Sequence, residues 1–164
     1  MSKYGYLELE IYVVVLIALV KPLGAYMARV YLGERTLLGR AFGPVERLLY
    51  RLVGTHADEE MDWKTYARAF LIFNFLGLFV VYALQRLQAY LPLNPQGQGP
   101  VSSDLAFNTA ASFATNTNWQ SYSGEVTLGY FTQMLGLTVQ NFVSAASGMA
   151  VLIALARGVA RHTT

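Results

Sequence analysis

Asp104-Leu-Ala-Phe-Asn-Thr-Ala-Ala-Ser-Phe-Ala-Thr-Asn-Thr-Asn-Trp-Gln-Ser-Tyr-Ser-Gly124 joins a short apolar stretch to a run that is polar, uncharged and dense in oxygen atoms. The first part, 104–114, predicts a short helix. Ser102 or Ser103 offers an N-cap and Asp104 suits the first turn. A bilayer span needs about 20 residues, so this helix is too short to cross. The second part, 115–121, alternates Thr115, Asn116, Thr117 and Asn118 before Trp119, Gln120 and Ser121. A strand that replaces the water around a bare cation needs backbone carbonyls aimed at one axis. Such aiming calls for unusual backbone angles, which glycine adopts best and asparagine tolerates better than most other residues. The helix would point its negative C-terminal end at the ion, and Trp119 and Tyr122 would brace the loop from behind. On the residues alone, an ion filter and an ordinary polar outer loop are both open readings.

Outward from this stretch the chain reads as membrane protein. Its residues are 54% hydrophobic and 13% charged, against about 25% charged in soluble domains. The apolar residues cluster in 7–20, 69–84 and 135–156, the distribution of bilayer spans and not of one soluble core. In the first span Pro22 is expected to kink or end the helix. In the second, Asn74 and Gly77 interrupt an otherwise apolar run and are expected to mark a helix–helix contact. The third, 130–156, places Gln133, Leu137, Gln140, Asn141, Ser144 and Gly148 on one face. A polar stripe at bilayer depth must face other helices or water. Helix packing and pore lining are equal readings of it, and Gln133, Gln140, Asn141 and Ser144 are the pore-lining candidates.

Charge placement orients these spans. Lys21, Arg29, Arg35, Arg40, Arg47, Arg51, Lys64 and Arg68 fall between the first two spans, whereas no Lys or Arg lies between Leu87 and Ala156. The positive-inside rule then puts the N-terminus outside, 21–68 in the cytoplasm, 87–129 outside and the C-terminus of this chain inside. Arg86 sits awkwardly near the outer end of the second span. If 104–114 crossed the membrane, Arg157 and Arg161 would finish outside. Charge parity therefore favours a segment that enters and returns on one side, after the turn-rich stretch 91–100. The resulting division is an N-terminal helix and extension over 1–31, a cytoplasmic loop over 32–68 and a repeat over 69–157, with a tail over 158–164. Within the repeat lie a helix (69–87), an outer loop (88–103), the short helix (104–114), the polar strand (115–121) and a returning helix (130–156).

In the cytoplasmic loop, Val45, Leu48, Leu49, Leu52 and Val53 repeat at helical spacing. They predict a surface amphipathic helix over 43–53, with Pro44 in its first position and Gly54 as its stop. Asp58, Glu59, Glu60 and Asp62 read as a solvated acidic run. His56 and His162 lack a second histidine at ligand spacing, and without cysteine there is no thiolate metal site. A net charge of +2 is too small for a nucleic-acid binder. The N-terminus does not read as a cleaved leader, because Glu8 and Glu10 interrupt it. No P-loop or aspartyl-phosphate motif is present, so no catalytic site is expected in this chain.

Phe113-Ala-Thr-Asn-Thr-Asn-Trp-Gln-Ser-Tyr-Ser-Gly-Glu125 closely resembles the first filter region of the potassium-binding A subunit of Kdp-type potassium-transporting ATPases. Gly136-Leu-Thr-Val-Gln-Asn-Phe-Val-Ser-Ala-Ala-Ser-Gly148 resembles the helix after it. Tyr90-Leu-Pro-Leu-Asn-Pro95, Lys21-Pro-Leu-Gly24, Gly43-Pro-Val-Glu-Arg47 and Met61-Asp-Trp-Lys64 are similar to further landmarks of that family. The resemblance covers essentially the whole chain. It implies an all-α membrane protein: an extra N-terminal transmembrane helix, then one helix–re-entrant pore helix and filter–helix repeat, as in the potassium channel and transporter superfamily. It implies that Thr115, Asn116, Thr117 and Asn118 contribute filter oxygens to a bound potassium ion. Trp119, Gln120 and Ser121 would support the filter or its entrance, and no covalent cofactor is implied. Implied partners are a P-type ATPase catalytic subunit, a single-span C-type accessory subunit, a small F-type peptide and membrane lipid, in a bacterial or archaeal inner or plasma membrane. The family's subunit holds four repeats, so this chain is expected to be an N-terminal piece or a short relative, with the other repeats in cis or in trans. The competing readings are a homo-tetrameric passive channel and a non-conducting regulatory membrane subunit.

Overall fold

A computed structural model describes residues 3–56 and 60–161, and every regular element among them is helical. The chain divides into two compact units, Met1–Glu60 and Met61–Thr164.

The first unit holds α1 (Lys3–Tyr31) and α2 (Leu37–Val53). Of the kink or end expected at Pro22, the end does not occur: α1 continues through it to Tyr31. Proline at 22 removes only the hydrogen bond to the Ala18 carbonyl, a defect that bilayer helices tolerate. The predicted start of α2 is also corrected. The helix begins at Leu37, where the Thr36 hydroxyl oxygen accepts the Gly39 N–H at 3.1 Å, and Pro44 lies inside it. Thr36 satisfies an otherwise orphaned first-turn donor, which outweighs the preference of proline for a first position. The added turns bring Leu38 and Phe42 onto the stripe formed by Val45, Leu49 and Leu52, and all five are exposed. Gly54 ends α2 in the left-handed conformation, φ 76°, with its N–H on the Tyr50 carbonyl. Tyr50 donates to a Glu46 carboxylate oxygen at 2.7 Å, and this bond raises the Tyr50 pKa. Asp58, Glu59 and His162 lie outside the described residues.

Near the start of the second unit, the Asp62 carboxylate caps α3 (Trp63–Leu87) by accepting the Thr65 N–H at 3.0 Å. Bonding to Thr65 holds the Asp62 carboxyl below its usual pKa. A single 3₁₀ turn (Gln88–Tyr90) leads into the loop, followed by α4 (Ser103–Ala114) and the short α5 (Gly124–Thr127). A π-helical stretch, Thr132–Thr138, then runs directly into α6 (Val139–Arg161). Its wide turns are accompanied by a bond from the Thr138 hydroxyl to the Gln133 carbonyl at 3.0 Å, five residues back.

Helix α4 packs against both α3 and α6. Val81, Val101, Ala106, Ala110, Phe113, Leu128 and Leu137 form the buried core. Small residues let the backbones approach closely enough for the buried Gln85 amide to donate to the Val81 and Ala106 carbonyls, each at 3.1 Å. Asn74 and Gly77 do mark a helix contact. Ser147 donates to Asn74 at 3.5 Å, and a Cβ on Gly77 would stand 2.7 Å from Gln140 Oε1. Three segments, Tyr4–Tyr31, Trp63–Tyr90 and Thr132–Ala160, are long and apolar enough to cross a membrane. Large apolar side chains such as Ile17, Ile72, Phe75 and Phe142 lie exposed along them, as lipid contact requires. The fold is that of an all-α membrane protein.

Candidate functional site

Helix α4 has 12 residues, about 18 Å at 1.5 Å per residue. Beyond it the backbone folds back on its last turn. The Thr115 N–H donates to the Ala111 carbonyl at 3.0 Å, and the Asn116 N–H to the Phe113 carbonyl at 3.3 Å. The N–H groups of Thr117 and Asn118 both end on the Ser112 carbonyl, at 3.0 and 3.3 Å. No peptide bond among the described residues is cis. In a trans peptide the C=O points opposite to the N–H of the same plane. Four successive donors turned toward α4 therefore turn the carbonyls of Ala114, Thr115, Asn116 and Thr117 away from it. Among the described residues, no hydrogen bond ends on the carbonyls of Thr115 to Asn118.

Two left-handed residues make this path possible. Asn116 has φ 57° and Asn118 φ 54°, a region that costs most L-residues about 1–2 kcal/mol and asparagine less. Their side chains join in a local network. Asn116 Oδ1 accepts from Asn118 Nδ2 and from Ser144 Oγ, both at 3.3 Å. The Thr115 and Thr117 hydroxyls lie 3.0 Å apart and both reach the Ser112 carbonyl, at 3.3 and 3.2 Å. All residues from Thr115 to Ser121 are exposed in this single chain. The strand thus presents an uncharged array of oxygens, backed by the negative end of α4, to the space beside it. A desolvated monovalent cation is the ligand such a surface suits.

The family model described as Potassium-transporting ATPase A subunit matches residues 10–164. The chain belongs to this family. It is 63% identical over 163 residues to a Sorangium cellulosum protein named potassium-transporting ATPase potassium-binding subunit, covering 99% of this chain and 28% of that one. A Herpetosiphon aurantiacus protein of the same name is 63% identical over 96% of this chain and 27% of its own length. One from Methylorubrum extorquens is 59% identical over 100% of this chain and 29% of its own. The chain spans somewhat over a quarter of these curated relatives.

Within this member of the A-subunit family the other candidates take several positions. Trp119 is 48% exposed, and its ring lines a groove with Tyr82, Phe107 and Ala111. Its carbonyl, more than its ring, ties the loop inward, by accepting the Ser112 hydroxyl at 2.9 Å. Tyr122 packs against the core and accepts from Gln120 Nε2 at 3.3 Å, and Ser121 Oγ lies 3.5 Å from Asn108 Oδ1. Gln133 donates to the Gly124 and Leu128 carbonyls, at 3.2 and 2.9 Å, bracing the return to α6. Gln140 is buried against Gly77, between α3 and α6. Asn141 is half-buried, and its Oδ1 has no hydrogen-bond partner among the described residues. Ser144 alone of the four reaches the polar strand, and it lines a cavity of about 590 Å³ with Asn74, Thr115, Asn116 and Ser147.

The sequence reading missed the outer bracing. Buried Gln88 donates to the Gly99 and Thr127 carbonyls at 2.5 and 2.9 Å and accepts the Gly129 N–H at 3.2 Å. Asn94 accepts the Gln98 N–H and returns a bond to the Gln98 carbonyl, both at 2.9 Å. Arg86, awkward as a charge at the outer end of a span, donates to the Val101 carbonyl. The available signal was two glutamines three residues apart at that end, which places them on one helical face.

Proposed function

We propose that this chain supplies one of four filter strands to the potassium-binding and translocating part of an ATP-driven potassium uptake complex. In this reading 69–157 is one pore repeat, with pore helix 104–114 and filter 115–121. Thr115, Asn116, Thr117 and Asn118 provide the ion-facing oxygens, and Trp119, Gln120 and Ser121 support the entrance. The observation that carries it is the backbone of 115–118. Its donors are spent on α4, its asparagines are left-handed, and its carbonyls are free to replace water around a cation. The remaining repeats, in the same polypeptide or in others, would complete the ring that one strand cannot close. Membership of the A-subunit family and the names of its relatives support potassium as the ion.

ATP hydrolysis then belongs to a P-type ATPase catalytic subunit, assembled with a single-span C-type subunit and a small F-type peptide. The asymmetry of Lys and Arg supports an outside N-terminus and a cytoplasmic end to this chain in a bacterial or archaeal membrane. The test is Thr117→Asp in the full-length subunit of the assembled complex. A carboxylate there would face the Ser112 carbonyl and the Thr115 hydroxyl. The potassium concentration for half-maximal ATP hydrolysis should change by about tenfold or more, equivalent to about 1.4 kcal/mol. Unchanged affinity in a normally assembled complex would refute the filter role.

A further inference from the structure

We infer that Ser112 is a positioning residue that sets the shape of this filter strand and through it the choice among monovalent cations. The inference rests on the filter reading and goes beyond it, to the group that holds the strand in place. Ser112 is fully buried in the last turn of α4, between Ala111 and Phe113. A serine inside a helix ordinarily turns its hydroxyl back to a carbonyl three or four residues earlier. Ser112 instead reaches seven residues forward, donating to the Trp119 carbonyl at 2.9 Å.

Its own carbonyl holds the other limb of the strand. There it accepts the N–H groups of Thr117 and Asn118, with the Thr117 hydroxyl 3.2 Å away, while the Thr115 hydroxyl makes its shortest contact, 2.8 Å, with the Ala111 carbonyl. One residue therefore clamps the strand on both sides of Asn118. The hydroxyl bond also turns the Trp119 carbonyl inward, toward α4, and so withdraws it from the row of unpaired carbonyls that precedes it. The row ends where the clamp begins. Removing the hydroxyl frees the Trp119 carbonyl and slackens 118–120, while the backbone bonds to the Ser112 carbonyl remain. Selectivity between ions of similar charge and different radius depends on how firmly such oxygens are held.

The test uses the full-length subunit in its assembled complex and compares half-maximal concentrations of rubidium and potassium for stimulating ATP hydrolysis. Ser112→Ala should shift the rubidium-to-potassium ratio by about fivefold, equivalent to about 1 kcal/mol, as expected for one lost hydrogen bond. Turnover at saturating potassium should stay within about twofold. Ser112→Cys, close in volume with a weak S–H donor, should shift the ratio in the same direction by less. A defect of folding alone would lower turnover without changing the ratio. A ratio within about 1.5-fold of the parent, in whichever variant assembles, would overturn the inference. Thr117→Asp serves as the control: if it alters potassium affinity while Ser112→Ala leaves the ratio unchanged, the positioning role fails and the filter stands. If Thr117→Asp also leaves affinity unchanged, the filter reading fails first.

Discussion

Replacing Asn118 by valine and by glycine separates backbone shape from side-chain chemistry in the polar strand. Asn118 has φ 54°, and its amide donates to Asn116 Oδ1 at 3.3 Å. Both replacements lose that bond, an exposed one worth about 0.5–1 kcal/mol. Glycine adopts the left-handed conformation without steric cost. Valine brings a β-branched Cβ into it, adding about 1–2 kcal/mol. Strain relieved only by leaving the filter geometry lowers the population of the binding-competent strand, and apparent affinity falls by the same factor. Asn118→Val should therefore weaken potassium affinity by roughly 5- to 30-fold relative to Asn118→Gly. Asn118→Gly should stay within about fivefold of the parent. The assay is the potassium dependence of ATP hydrolysis by the complex carrying each full-length variant. Equal affinities for the two variants would show that the left-handed backbone at 118 has no part in ion binding, and the reasoning would fail.

Three further outcomes follow from the same structure. Gln88→Leu strips partners from the buried Gly129 N–H, the half-buried Thr127 carbonyl and the exposed Gly99 carbonyl. Water can replace only the last in full, so the variant should lose about 2–4 kcal/mol of stability, read as a lowered unfolding midpoint of the full-length subunit in detergent. A change below about 0.5 kcal/mol would contradict the bracing role. Gly77→Leu drives a side chain into Gln140 across the α3–α6 contact and should cost about 1–3 kcal/mol in the same assay. Gly77→Ala should cost less, since the first atoms it meets are the flexible end of Gln140. Single cysteines at Asn108 and Asn118, placed in a cysteine-free full-length subunit, should react with an impermeant maleimide from outside the cell. Reaction from the cytosolic side alone would remove the re-entrant path.

How much of this was legible depended on whether a local rule had competition. Asn74 and Gly77 stood out because polar and small residues at bilayer depth have few uses besides helix contact. The strand's asparagines were legible as tolerant of unusual angles, and both do lie at positive φ. The start of α2 was misread because Pro44 imitates a first-turn proline, while the true cap, Thr36, precedes an unremarkable Leu-Leu-Gly-Arg run. At Pro22 the helix did not end, because one missing hydrogen bond did not stop α1. The π-helical turn at Thr132–Thr138 left no mark in composition; within it, a Cβ on Gly136 would stand 3.3 Å from Leu84 Cδ1, a contact made only in the fold. Ser112 was invisible for a related reason. Within Ala-Ala-Ser-Phe-Ala it reads as one more small residue, and only the folded-back chain brings the Trp119 carbonyl to its hydroxyl. The stripe of the third span shows that one-face periodicity does not determine use. Gln133 braces a loop, Gln140 fills a helix contact, and Ser144 touches the polar strand.

The most direct measurement is the location of bound rubidium, by its anomalous scattering, in crystals of the full-length subunit within its complex. An ion touching the main-chain oxygens of Thr115, Asn116, Thr117 or Asn118 is the result expected. Ions found only at sites that these four residues do not touch would contradict the account.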